Sequence, residues 1–248
     1  MLAVFKREFK SYFANPLGFI ILAAFYFFTG YTFSNYYSMG APYVEYAVLS
    51  MSSILLIIVP VITMRLFSEE RRQKTDQVLF TAPVKLISIV LGKFFAALAL
   101  YALGFAPTII YQIIVSAYVS VNLFYYIYSL IGIMLFGAAL ISIGMFISSL
   151  TESPITSIIF TLVANIFIMF SGNLASSVSV PKGESPLGEA WAWVVQKFAD
   201  FLAGMDFVGV LESFGEQAFA VKDIVFFVSI SLAFVFLTER SLEKRRWS

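Results

Sequence analysis

The stretch most informative about chemistry is Met64 to Phe94 (MRLFSEERRQKTDQVLFTAPVKLISIVLGKF), a charged island between two long apolar runs. It holds six of the sixteen Lys and Arg residues: Arg65, Arg71, Arg72, Lys74, Lys85 and Lys93. Glu69 to Lys74 is a tight block of both signs. Val78, Leu79 and Phe80 then make an amphipathic turn before Pro83, and the chain re-enters apolar sequence at Leu86. This mixture suits recognition better than bond making, because charges orient a partner while an apolar pair such as Leu79 and Phe80 fills a pocket on it. The same residues also satisfy a simpler role, a charged loop in which Glu69 and Glu70 neutralise neighbouring arginines. Histidine and cysteine are both absent, which removes disulfides, thiolate or imidazole metal sites and His-based catalysis. There is no GxxxxGK[ST] phosphate loop, since the Gly92-Lys93 pair runs into Phe94, so ATP is not bound by that route.

The elements that must hold this stretch follow from composition. Hydrophobic residues make up 60% of the chain and charged residues 12%, with a mean hydropathy of +0.89, far from the average soluble domain. The sequence therefore predicts an all-α polytopic membrane protein built as a single domain over residues 1–248. Six apolar segments meet the length a spanning helix needs, over 17–37, 47–64, 87–118, 123–150, 154–174 and 218–238. The third is long enough to require tilt or a kink at Pro107. The sixth extends a short apolar run, Ile224 to Leu237, at its outer end. No Asp, Glu, Lys or Arg falls in the middle of a span, whereas ion-coupled secondary transporters usually keep such groups near the midplane.

With the N-terminus in the cytoplasm, that side carries thirteen Lys and Arg, and the other side only Lys182, Lys197 and Lys222. The positive-inside rule then places both termini in the cytoplasm, and the first span reads as an uncleaved signal anchor. Residues 1–15 form a separate element. Leu2, Phe5, Phe9, Tyr12 and Phe13 share one helical face against Lys6, Arg7 and Lys10, the pattern of an interfacial helix on anionic lipid. Between the fifth and sixth spans, the extracytoplasmic segment 176–217 is amphipathic. Leu187, Trp191, Val194, Val195, Phe198, Phe201 and Leu202 recur at helical spacing, which predicts helices at the outer interface with Trp191 and Trp193 at headgroup level, or a small packed cap. In the fourth span Gly132, Gly137, Ala138 and Gly144 mark close helix packing.

Three stretches carry a family resemblance: FKREFKSYFANPLG near the N-terminus, FSEERRQKTDQVLFTAPV followed by IVLGKF in the charged loop, and FLTERSLEKRRW near the C-terminus. Together they make the chain resemble the permease subunits of ABC-2 type ABC transporters. Within that group it is most similar to the gliding-motility-associated permease and the permease of the nitrous-oxide-reductase maturation system. Glu70, Thr75 and Pro83 are in register with the family pattern, while Lys74 and Gln77 stand where the family more often has Gly and Glu.

The resemblance implies that loop 65–86 is a coupling helix docking into a separate ABC ATPase, which would hold the ATP and Mg; none is implied on this chain, and the chain is not an enzyme. Carried over, the contact residues are Glu69, Glu70, Arg71, Arg72, Thr75, Asp76, Leu79 and Phe80, helped by Lys6, Arg7 and Lys10. It implies a location in the bacterial cytoplasmic (inner) membrane. It also implies partnership with a second permease copy or a paralogue, with membrane lipid, and, in the gliding-type subgroup, with a subunit bearing an extracytoplasmic domain; nucleic acid is not implied. Asn165, Ser171 and Asn173 of the fifth span are candidates for a translocation path, or for bonds between helices. An ATP-independent transporter or flippase, and a membrane scaffold for an extracytoplasmic complex, remain open alternatives.

Overall fold

The computed structural model describes residues 1–41, 43–75, 85–178, 186–215 and 220–246, which form twelve helices and no strand. The first is α1 (Leu2–Ala14). It stops at extended Asn15, and Pro16, whose missing N–H costs nothing in a first turn, opens α2 (Pro16–Ser38). The elbow between them is close: a Cβ at Gly18 would strike the Tyr12 carbonyl.

The second crossing is made of α3 (Val44–Ser50) and α4 (Ser52–Thr63), which continue through Met51 in helical geometry. After a turn comes the five-residue α5 (Ser68–Arg72). The third crossing is two helices, α6 (Leu86–Gly104) and α7 (Ala106–Tyr118). The break at Phe105 has a local cause, since Pro107 offers no N–H to the Leu103 carbonyl. Next are α8 (Leu123–Leu150), α9 (Pro154–Ser177), α10 (Pro186–Ala203), α11 (Phe207–Ser213) and α12 (Val221–Arg246). Among the described residues, six stretches are long and apolar enough to cross a membrane: Pro16–Ser38, Ser52–Arg72, Leu86–Tyr118, Leu123–Leu150, Pro154–Ser177 and Val221–Arg245. The chain is thus an all-α, multi-pass membrane protein.

α8 is the axis of the bundle, packed by α12, α4, α3, α9 and α6. Its small residues set how close those helices come. A Cβ would meet the Phe214 ring at Gly132, the Tyr101 ring at Gly137, and Thr63 and Thr161 at Gly144. Tyr101, fully buried, donates its hydroxyl to the Ile133 carbonyl of α8 at 2.7 Å and packs edge-on against Phe25 and Phe105.

At one end of the bundle, α11 is part of the core. Asp206 caps it by accepting from the Gly209 N–H at 2.9 Å, and Phe207, Leu211 and Phe214 are buried. α10 packs on α9, with Ala199 and Leu202 buried and Trp191, Trp193, Val194, Phe198 and Phe201 exposed. So α11 is packed into the bundle, while α10 keeps an exposed aromatic face. The opposite end carries α1 and α5.

A charged junction as candidate functional site

Three elements far apart in sequence bring charge together at the α1 and α5 end. On α1, Val4, Glu8 and Tyr12 recur every fourth residue and face inward, with Val4 against Gly92 of α6. Phe5, Phe9, Phe13 and Phe19 form a run of stacked and edge-on rings beside them, which leaves Lys6 and Lys10 exposed. Tyr12 donates its hydroxyl to the Ile62 carbonyl of α4 at 2.9 Å, and burial pushes that phenol well above its ordinary range.

Lys93 is at the centre. The charged stretch of the sequence included it, but the structure places it in the second turn of α6 with only 1% of the side chain exposed. Its Nζ lies 2.9 Å from Glu70 Oε1 and 3.3 Å from Glu8 Oε2, with the Phe67 ring centroid at 5.0 Å. Arg7 closes the circuit from the other side, 2.6 Å from Glu8 Oε1 and 3.3 Å from Glu70 Oε1. Its bond to the Glu8 carboxylate raises the guanidinium further above its already high range. The four charges alternate in sign around a closed ring, so the buried ammonium is compensated twice, as a charge taken out of water requires. Arg65 and Glu69 pair one turn apart on the rim of the same cleft, which encloses about 330 Å3.

The helix that carries Glu70 is fixed at both ends. Ser148 of α8 accepts from the Phe67 and Ser68 N–H groups and donates to the Met64 carbonyl, each at 3.2 Å. At the other end, the Lys74 N–H donates to Arg71 O and the Thr75 N–H to Glu70 O, with Lys74 at φ 55°. This is a Schellman closure, whose left-handed position favours glycine. Arg71 then reaches across to the end of α8, donating to Leu150 O at 2.7 Å and to Glu152 at 2.6 Å.

The residues expected to meet a partner therefore divide into two groups. Glu69, Glu70, Arg71 and Arg7 are bonded inside the chain, and Thr75 holds the end of α5. Arg72, Lys6 and Lys10 are exposed and make no side-chain hydrogen bond among the described residues. Asp76, Leu79 and Phe80 lie outside the described residues. Glu8, Lys93 and Ser148 are participants that the sequence reading did not select. Glu8 carried a signal, its register with Val4 and Tyr12; Ser148 carried none. The three polar residues of α9 are elsewhere and do not converge. Asn165 is fully buried, Ser171 donates to the Met205 carbonyl at 2.7 Å, and Asn173 is exposed.

Chemically, the junction pairs carboxylates with cations, and among the described residues no cluster able to hold a metal ion is found. Residues 6–168, nearly two thirds of the chain, match the family model described as ABC-2 family transporter protein. That range runs from α1 into α9 and contains the whole junction. No curated protein matches the chain.

Proposed function

The chain belongs to the ABC-2 transporter family, and from that premise we propose that it is a permease subunit driven by a separate ABC ATPase, which binds ATP and Mg. In this reading α5 and the residues after it are the coupling element. Arg72, Lys6 and Lys10 supply its exposed charged rim, with Asp76, Leu79 and Phe80 completing the contact. Glu69, Glu70, Arg71 and Arg7 act one step behind, holding α5 to the rest of the chain. The observation that carries the proposal is the ring around Lys93, because it joins α5 to α1 and α6 by bonds that a displacement of α5 must either carry along or break.

The Lys and Arg distribution supports a cytoplasmic position for both termini, and with them α1 and α5, in a bacterial inner membrane. The exposed apolar side of α9, with Ile155, Ile159, Phe160, Val163 and Phe167, is suited to a dry contact with a second permease copy or a paralogue. Export of a substrate, and kinship with the gliding-type or nitrous-oxide-reductase maturation permeases, complete the reading. The exposed aromatic face of α10 supports an accessory subunit on the outer side.

Co-purification in nanodiscs with the ABC ATPase encoded beside this gene tests the proposal. Wild type is expected to retain the ATPase, while Arg72→Glu and the pair Leu79→Ala with Phe80→Ala lose it and still elute as folded chain. Retention by every variant would overturn the assignment of the coupling element, and absence of any ATPase partner would overturn the proposal as a whole.

A further inference from the structure

On α9, Ser157, Thr161 and Asn165 follow one another every fourth residue on one face, and all three are fully buried. The helix packs against α4 and α8, and at the closest point Thr161 and Thr63 both press on Gly144 of α8. One turn further along α8 is Ser148, the residue that caps α5. Ser157 Oγ, Thr161 Oγ1 and both amide atoms of Asn165 have no hydrogen-bond partner.

Among the described residues Gln112 of α7 has the same deficit at both amide atoms, but on α9 it recurs over three successive turns of one face. Several buried or partly buried hydroxyls in other helices return to a carbonyl of their own helix: Thr63 to Val59, Ser142 to Ala139, Ser231 to Phe227 and Thr238 to Phe234. Ser157 and Thr161 lack even that bond, and an amide with four bonding positions is filled at none of them. Unpaired polar groups away from water are costly, and the cost is greatest where lipid replaces solvent. Nor does the contact leave room for water at Gly144, where a single added carbon would already collide with Thr63 and Thr161.

We infer that α9 separates from α4 and α8 along this face in a second conformation, opening inside one chain a water-filled crevice lined by Ser157, Thr161 and Asn165. Water, or another small neutral group that donates and accepts hydrogen bonds, satisfies the three side chains there. The crevice lies within the chain, distinct from the exposed apolar side of α9, and stands whether or not the docking assignment does.

The absence of cysteine makes the test direct. Single variants Ser157→Cys, Thr161→Cys, Asn165→Cys and Val163→Cys are exposed, as full-length chain in native membranes with and without ATP and Mg, to a small cationic methanethiosulfonate that reacts with the thiolate. Val163, 58% exposed on the apolar side at the same depth, is the control. The expected result is labelling at 161 and 165 about tenfold or more faster than at 163 under at least one condition, since thiolate forms only where water reaches. Labelling no faster than at 163 under both conditions would overturn the inference, as would rapid labelling of all four, which would put the whole helix in water. A second arm does not depend on a cysteine in the centre of the seam: Asn165→Leu is expected to raise the unfolding midpoint and to suppress labelling of Ser157→Cys, and a lowered midpoint would contradict a seam that is better satisfied when open.

Discussion

Two polar regions of this chain are built on opposite terms. At the junction of α1, α5 and α6, the ammonium of Lys93 is removed from water and meets two carboxylates, each shared with Arg7. Along α9, neutral side chains are removed from water as completely and meet nothing. A buried charge cannot tolerate what a buried hydroxyl or amide can, so the first arrangement must persist through any motion while the second has reason to change. The difference assigns the parts: a joint that keeps its contacts, and a seam that exchanges them.

Substitutions at the two regions should therefore act with opposite sign. The largest effect is expected at Lys93. Lys93→Met leaves Glu8 and Glu70 facing each other and should cost about 3–5 kcal/mol, read from the unfolding midpoint in detergent. The triple variant Glu8→Gln, Lys93→Met, Glu70→Gln should recover most of that loss, because removing the whole group differs from orphaning half of it. A single variant as stable as wild type would dissolve the comparison.

At the seam, Asn165→Leu should instead gain about 1–3 kcal/mol, the release of an unpaired buried amide. Chemical denaturation of the same two variants side by side decides whether the signs differ. Tyr12→Phe, which deletes the bond to Ile62 O and leaves the ring in place, should cost about 1 kcal/mol. Lys74→Gly should stabilise by roughly 1 kcal/mol by relieving the left-handed Lys74, and hydrogen exchange at α5 should slow accordingly. Smallest of all, Arg7→Gln should change stability by less than about 1 kcal/mol and only at low salt, since Arg7 is the solvent-facing member of the ring.

Much of the architecture was legible in the chain because a bilayer demands long apolar runs, and interrupting residues such as Pro107 announce where a run must break. The charged block was legible as well. Which of its members point inward was not: Arg7 and Glu70 are 63 positions apart, and no local pattern says that Glu70 turns toward Lys93 while Arg72 turns away. Lys74 shows the reverse case. The family's frequent glycine at that position had no visible cause in the sequence, and the φ of 55° at the end of α5 supplies one. Asn165 drew notice for its polarity alone; that its two amide atoms lack partners is visible only once α4, α8 and α9 are packed.

Movement of α5, held by the junction, should reach the seam through Ser148, which caps α5 one turn from Gly144. The measurement that tests this most directly is the labelling rate of Asn165→Cys with and without ATP, in the ATPase-bound complex, on the native junction and on the neutralised triple variant. A change in rate on adding ATP with the native junction, lost in the triple variant while the ATPase remains bound, is the predicted result. The same ATP-dependent change in both would contradict it, and would place the coupling route outside the ring around Lys93.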